Sequence, residues 1–362
     1  MCKVYNTVGS LTVVKSHLLA HDIDEFKSIK ELIDFQKNYP ALQQQIIANH
    51  RQVIQNETTN LTLETPQLKK LIDEKRAELE QQKSIEVRKL EAKLNSLDLN
   101  HSNIFHRFIN HLKRAGVIRK LFSVSHNFEN IIASSLNPLI TDFNIKDVRY
   151  NFITTRFDDA VSESSERSLS ELARKKNVID QINNYIYGAI GEQKIVKELE
   201  KLSNEYVLIN DFTLEFHPAI YRKQNNDYIK SIQIDHILVS TSGIFLIETK
   251  NWSQKSMESI DLHSPVDQIK RTNYALYRLL NERISSSKLR INTHHWGDRK
   301  IPIRNLIVLI KHKPTQEFQH VKLLALEELL NYITYFQPSI SNNDVQTIAS
   351  ELESINKALT YI

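Results

Sequence analysis

Two apolar, β-branched runs flank a short polar turn between residues 232 and 252. This stretch reads I-Q-I-D-H-I-L-V-S-T-S-G-I-F-L-I-E-T-K-N-W. Apolar runs on both sides of a Ser/Thr/Gly turn predict a β-hairpin. A turn centred on Thr241 and Ser242 sets a register in which Asp235 lies opposite Glu248, and a four-residue loop gives the same register.

A helical pattern precedes the hairpin, from about residue 179 to residue 203. Its apolar residues recur at intervals of three and four, and Glu192 falls on the same stripe. A carboxylate on a stripe that faces the core needs a partner. Gly188 and Gly191 lack side chains, which would let this turn approach the sheet closely. Glu192 is therefore a candidate functional residue, and the alternative is a helix-edge glutamate in a surface salt bridge.

The remaining C-terminal pattern alternates strands and helices. A further strand is predicted at 206–216, before the hairpin. After it, Ser264 and Pro265 form a good helix start, because serine caps helices and proline suits the first helical position. The continuous apolar run at 303–310 is typical of a strand that is buried on both faces. The predicted order is therefore α-β-β-β-α-β.

The first half of the chain has a different character. Up to about residue 178 it contains only two glycines and is rich in residues that favour helices. Residues 66–98 carry interspersed charges and a partial heptad pattern, which predicts a helical hairpin or short coiled coil, or else a single solvated helix. The serine-rich stretch 158–170 is the best candidate for a linker. We predict a mostly α-helical N-terminal domain at 1–170 and an α/β domain at 171–362.

Composition narrows the class of protein. The chain has 362 residues, enough for two domains, and a net charge of +4, which is compatible with nucleic acid without being diagnostic. Its single cysteine, Cys2, excludes an internal disulfide framework and a cysteine-built zinc site. No signal peptide or membrane-length apolar run is present. A cytoplasmic protein with no membrane partner is expected.

Three charged side chains interrupt the apolar runs of the hairpin: Asp235, Glu248 and Lys250. Glu248 and Lys250 are two residues apart on one strand, so they point to the same face. Opposed carboxylates repel each other, and burying them is costly unless a cation lies between them. Mg²⁺ takes carboxylate oxygens and keeps several waters. The pattern therefore indicates a divalent-metal site whose lysine can hold or polarise a water molecule.

An aspartate, a hairpin turn and E-x-K together resemble the PD-(D/E)xK nuclease superfamily. The wording I-D-H-I-L-V…G-I-F-L-I-E-T-K-N-W is more narrowly similar to the nuclease-related domain (NERD) family, a resemblance that covers residues of about 180–360. It implies a restriction-endonuclease-like α/β core. The residue before Asp235 is isoleucine instead of the proline in the superfamily name, but that proline is not a metal ligand.

The resemblance also implies roles for particular residues. Asp235 and Glu248 would ligate Mg²⁺ or Mn²⁺, with the Thr249 carbonyl as a third protein ligand. G-x-x-G-E places Glu192 in the site, directly or through a water. Lys250 would orient the attacking water. Gln268 matches the P-x-x-Q pattern of the family, although a first-turn glutamine can equally be solvated.

The resulting hypothesis is a metal-dependent nuclease that hydrolyses phosphodiester bonds, with DNA as the favoured substrate and bacterial defence or DNA processing as its setting. One alternative is a catalytically silent module that keeps the nuclease fold and serves in nucleic-acid binding or in assembly. Another is a nuclease directed at RNA. The N-terminal helices are expected to support a homodimer or to pack within one chain.

Overall fold

The computed structural model describes residues 1–97, 104–223, 225–252, 263–291 and 301–359. The chain divides into two compact units. One unit comprises Met1–Lys37 together with Arg174–Ile362, and the other is Asn38–Ala173. The boundary after Ala173 lies close to the predicted one near residue 170, but the first 37 residues belong to the unit that contains the C-terminal part of the chain.

A mixed, six-stranded sheet forms the centre of the first unit. Its strands, in spatial order, are β1 (Lys3–Tyr5), β2 (Val207–Arg222), β3 (Asp227–Ser240), β4 (Gly243–Lys250), β5 (Ile303–Leu309) and β6 (Lys322–Ala325). The β2–β3 and β3–β4 pairs are antiparallel and the others are parallel. The predicted hairpin register is confirmed, since Ser240 pairs with Gly243 and His236 with Ile247.

Eight helices are described. They are α1 (Gly9–Ala20), α2 (Ile29–Asn95), α3 (Ile104–Thr155), α4 (Phe157–Gln181), α5 (Asn183–Leu199), α6 (His263–Ser285), α7 (Leu329–Thr334) and α8 (Asn342–Leu359). Helices α6 and α8 cover one face of the sheet, and α5 and α7 cover the other. None of these described helices has both the length and the apolar character needed to cross a membrane.

The N-terminal 20 residues complete the first unit. Strand β1 pairs in parallel with β2, with Lys3 opposite Val207. Helix α1 packs on α5, where Val14 and Leu18 join a buried cluster with Ile186. Neither element could be predicted from local pattern, because β1 is only three residues long and its pairing partner lies about two hundred residues away.

The second unit is helical, as predicted for the N-terminal region. Its core contains residues from α2, α3 and α4: Ile54, Leu61, Ile153, Ala160 and Val161. Ion pairs such as Arg149 with Glu57 join α2 to α3 at its surface. Coiled-coil packing of residues 66–98 stays a prediction.

The serine-rich stretch 158–170 is not a linker, and that prediction is wrong. It lies inside helix α4. Ala160, Val161 and Ser165 are buried, so this stretch packs as one face of a helix. Its serines occupy mostly the exposed positions between them, where serine is tolerated in a helix at small cost.

Cys2 should be chemically quiet in the folded protein. Its thiol is buried and donates to the Tyr206 carbonyl at 3.3 Å. Burial raises the pKa of the Cys2 thiol to about 11. Because the thiolate is the reactive form, we expect labelling by a maleimide at pH 8 to be about a hundredfold slower than for an ordinary exposed cysteine. Equal labelling rates before and after unfolding in urea would contradict this.

Candidate active site

The β3–β4 hairpin brings three of the predicted residues together. Asp235 is partly buried and lies one residue beyond the pair of His236 with Ile247, in register with Glu248. The Thr249 backbone N–H donates to Asp235 Oδ2 at 2.6 Å. Lys250 Nζ donates to Glu248 Oε1 at 2.7 Å. Each carboxylate is therefore held by a neighbouring group on β4.

Glu192 reaches this group from helix α5, as its position on the apolar stripe predicted. Its side chain is only 5% exposed. Both of its oxygens have partners in helix α1: Ser10 Oγ donates to Oε1 at 2.5 Å, and the Ser10 backbone N–H donates to Oε2 at 3.3 Å. The second residue of α1 thus fixes the carboxylate of Glu192, aided by the partial positive charge of a helix N-terminus.

The two glycines before Glu192 leave space for its neighbours. A Cβ at Gly188 would lie 2.8 Å from Ser10 Oγ. A Cβ at Gly191 would lie 3.0 Å from Asn251 Cβ and 3.2 Å from Thr249 Cγ2. The predicted close approach to the sheet is seen at Gly191, which lets α5 approach the end of β4, whereas Gly188 admits Ser10 of helix α1.

The carboxylates interact electrostatically. Burial of the Asp235 carboxyl raises its pKa well above the usual value, and the negative charges of Glu248 and Glu192 raise it further. The Thr249 N–H and the Lys250 ammonium oppose this only in part. An acidic group in these surroundings favours a bound proton or a bound cation over a bare negative charge.

Glu192 and Lys250 respond to the same surroundings. Burial raises the pKa of Glu192 against the opposing hydrogen bonds from Ser10, and the charges of Asp211 and Glu248 add to the increase. Burial on its own lowers the pKa of Lys250. The charges of Glu248, Asp235 and Glu192 outweigh this effect, so that the pKa of Lys250 is raised and the ammonium stays protonated.

One buried oxygen of the site is available for a cation. Glu248 Oε2 is buried and has no hydrogen-bond partner among the described residues. A buried carboxylate oxygen without a partner is costly, and a hard divalent cation is a ligand that would satisfy it. Within the described ranges, no group of three or more His, Cys, Asp or Glu side chains is arranged to bind a metal. A cation at this place would therefore be held by fewer than three of these side chains, and both oxygens of Glu192 are already engaged by Ser10.

Gln268 makes no hydrogen bond to Asp235, Glu248 or Lys250 in the described part of the chain. Its exposed side chain is in the second turn of α6, which begins at His263 and so one residue before the predicted cap at Ser264. It lines a pocket with Lys230, Gln233 and Arg271. Gln233 precedes Asp235 by two residues, so both point to the same face of β3. The described geometry therefore links Gln268 to Asp235 only through Gln233, and its role in the site stays a prediction.

Asp211 is a site neighbour that was not predicted. The pairs Asn210 with His236 and Phe212 with Ile234 place it opposite Asp235, across the β2–β3 ladder. Its backbone has a φ of 50°, which is unusual outside glycine. The polar residues of I-N-D-F interrupt an otherwise apolar strand, and this interruption could have marked Asp211 as a candidate site residue. No such feature of the sequence marks Ser10 as the partner of Glu192.

A buried polar chain supports the strand that carries Asp235. His236 is fully buried, and its Nδ1 lies 2.7 Å from Asn210 Oδ1. Since that oxygen can only accept, Nδ1 carries the proton of a neutral ring. Burial lowers the pKa of His236 to about 3, which keeps the ring neutral. Asn210 Nδ2 in turn donates to the Asn6 carbonyl at 3.0 Å. These hydrogen bonds connect β3, through β2, to the N-terminal segment.

The comparison with known proteins gives one finding. Neither curated proteins nor solved structures give a significant match to the chain. A family model does match, from the middle of α5 to the end of β5, and the matched segment includes Glu192, Asp235, Glu248, Lys250 and Gln268. Residues 187–310 match the model of the nuclease-related domain, NERD, which confirms the resemblance predicted from the sequence.

Proposed function

We propose that this protein is a metal-dependent nuclease of the PD-(D/E)xK type. The observation that carries the proposal is the grouping of Asp235, Glu248, Glu192 and Lys250 at the end of one hairpin, with the pKa of Asp235 raised and Glu248 Oε2 lacking a partner. Buried, mutually repelling carboxylates destabilise a fold, so their grouping indicates function. The element order from α5 to β5 agrees with a restriction-endonuclease-like core.

Asp235 and Glu248 would hold Mg²⁺ or Mn²⁺, with the Thr249 carbonyl as a third protein ligand. When bound, the metal lowers the pKa of a coordinated water and neutralises charge on the scissile phosphate. Glu192 would contact the metal through a water instead of directly, because Ser10 already donates hydrogen bonds to both of its oxygens.

Lys250 would serve as the positive group of the reaction. Its ammonium stays protonated beside Glu248. The side chain is 21% exposed and so remains reachable from solvent. From this position it would orient the attacking water and stabilise the extra negative charge on the phosphate in the transition state. Gln268 would contact the nucleic-acid strand beside the cleavage point.

The proposal is tested by incubating the purified full-length chain with plasmid, linear duplex, single-stranded DNA and RNA. Each reaction is run with Mg²⁺, with Mn²⁺ and with EDTA. Lys250→Ala is the inactive comparison, and Lys201→Ala is the matched control, because Lys201 is 63% exposed and pairs with Glu198.

Cleavage of DNA that needs metal, persists in Lys201→Ala and is lost in Lys250→Ala supports the proposal. Cleavage of RNA alone would select an RNA-directed nuclease. Binding without cleavage under every metal condition would overturn the enzymatic assignment and leave a silent nucleic-acid-binding module. Equal cleavage by wild type and Lys250→Ala would attribute the activity to a contaminant.

Ser10→Ala should impair the reaction without removing any group that touches substrate. The change deletes the hydroxyl that donates to Glu192 Oε1 and leaves the backbone N–H in place. Loss of such an outer partner commonly costs ~10–100-fold in metal affinity or activity. We expect a decrease of this size in cleavage at limiting Mg²⁺, smaller at saturating Mg²⁺, and recovery in Ser10→Thr. A decrease independent of metal concentration would contradict a positioning role.

We also propose that the helical region mediates a homodimer. Helix α3 exposes several large apolar side chains: Phe105, Phe108, Leu112, Ile118 and Phe122. Light scattering on the full-length chain should then give twice the monomer mass at micromolar concentration, and Phe122→Ser should lower that mass. A monomer would leave this region as a helical arm that binds substrate or partner.

A further inference from the structure

A pocket of about 280 Å³ lies between β3 and the first turns of α6. Ser231 and Gln233 of β3, and Gln268 and Arg271 of α6, form part of its wall. Ile232 also lines the pocket, so the wall follows consecutive residues of β3 up to Gln233. Asp235 lies two residues, or about 7 Å, further along the same strand.

The end of the pocket away from Asp235 is aromatic. Tyr228 lines it and is 61% exposed. The Tyr228 ring centroid lies 5.0 Å from that of Tyr221, its pairing partner on β2. Arg271 donates to the Tyr228 carbonyl at 2.8 Å, which fixes the start of strand β3 against α6. A large, exposed ring on an anchored backbone is a ready stacking surface.

The same end is basic. Lys230 lines the pocket with an exposed side chain. Arg222 and Arg271 both face Asp227, at 3.0 Å and 3.8 Å, so one carboxylate is shared by two guanidinium groups. Lys230, Arg222 and Arg271 carry three positive charges against the one negative charge of Asp227. This combination of an exposed ring and unneutralised cations suits a phosphate-linked base.

We propose that this pocket binds one nucleotide of a single-stranded segment whose strand continues towards Asp235. The base would stack on Tyr228, and Lys230 would contact the adjoining phosphate. The inference rests on the proposed nuclease function and specifies its substrate. In a duplex the bases are stacked on one another and cannot reach the tyrosine face, whereas unpaired bases can. The pocket volume is near the ~300 Å³ lower limit of ligand pockets, so it admits a nucleotide and not a double helix.

The experiment measures fluorescence anisotropy of short labelled oligonucleotides with the full-length Asp235→Asn variant in EDTA, so that no cleavage occurs. Single-stranded DNA, the matching duplex and single-stranded RNA are the three probes. Tyr228→Leu, Tyr228→Phe and Lys230→Gln are added to this background. Tyr335→Leu is the matched control, since Tyr335 is an exposed tyrosine that follows α7 and lies outside the pocket. Thermal unfolding midpoints check that each variant is folded.

Tyr228→Leu should weaken binding of the single strand by about five- to a hundredfold, the range that one base–aromatic stack supports. Tyr228→Phe keeps the ring and should bind like the parent, as should Tyr335→Leu. Lys230→Gln should reduce by about 1 the slope of log affinity against log salt. Comparing the affinities for single-stranded DNA and single-stranded RNA identifies which of the two the pocket prefers. Duplex binding as tight as single-strand binding, or no effect of Tyr228→Leu, would overturn the proposal.

Cleavage by the wild-type chain separates this inference from the proposed function. If binding depends on Tyr228 but no substrate is cut with any metal, the nuclease assignment fails and the pocket stands as a binding site. If wild type cuts nucleic acid and Tyr228→Leu neither binds nor cuts differently, the nuclease assignment stands and the pocket assignment fails.

Discussion

Asp235→Asn is expected to abolish cleavage while making the metal-free protein more stable. The asparagine keeps an oxygen to accept the Thr249 N–H but removes a negative charge that faces Glu248 and Glu192. A metal ion contributes several kcal/mol to transition-state stabilisation, so weakening its site should lower the rate by about a thousandfold or more. Removing the carboxylate repulsion should stabilise the fold by on the order of 1 kcal/mol, or about 2–4 °C in melting temperature.

Both effects are measured on one preparation, with cleavage assayed in Mg²⁺ and thermal unfolding followed in EDTA. Glu327→Gln is the control, because it makes the same chemical change at an exposed position. It should alter neither quantity. A variant that lost cleavage and also melted well below wild type would show that Asp235 is needed for folding. That result would refute the expected combination of lower activity and higher stability.

Gly243→Ala is expected to destabilise the sheet strongly. Gly243 ends the turn of the β3–β4 hairpin with a φ of 118°, which residues with a side chain rarely adopt. A Cβ at this position would lie 2.4 Å from the Pro302 carbonyl oxygen, the same oxygen that accepts the Ile244 N–H. Strain and the collision together should cost about 2–4 kcal/mol in free energy of unfolding, because the colliding atom is backbone and cannot rotate away.

The loss is measured as the fall in the unfolding midpoint on heating and in urea. Thr241→Ala in the same turn is the matched control. The described hydrogen bonds of Thr241 to Ser339 and Ile340 are made by its backbone carbonyl, which alanine retains. The control should change the free energy of unfolding by less than about 1 kcal/mol. A Gly243→Ala protein as stable as the control would mean that the turn relaxes without cost.

The hairpin was predictable because its signals are local. A strand alternates sides at every residue, so the turn position alone determined which side chains face each other. This placed Asp235 in register with Glu248 before any coordinates were known. The burial of Glu192 was equally predictable, since helical spacing puts it on the same stripe as Ile195 and Leu199. The resemblance to NERD then supplied the chemistry that spacing cannot give.

The remainder depends on contacts between distant parts of the chain. Ser10 lies 182 residues from Glu192, and nothing in the wording around it marks it as a partner of a glutamate. Residues 158–170 were misread for the opposite reason: their local composition is typical of a linker, but Ala160 and Val161 are buried against Ile54 and Ile153. Tertiary packing overrides local propensity in both cases.

The pairing of β1 with β2 imposes an order on folding during synthesis. Val207 is synthesised about 10–40 s after its partner Lys3 at the usual ~5–20 residues per second. During this interval Cys2 and its neighbours have no sheet to join, while α2 and α3 can form at once from local hydrogen bonds. The contact between Ser10 and Glu192 can form only after α5 has been synthesised. A fragment that starts at residue 171 would leave β2 without β1 and Glu192 without Ser10, so such a truncation changes the proposed active site as well as the edge of the sheet.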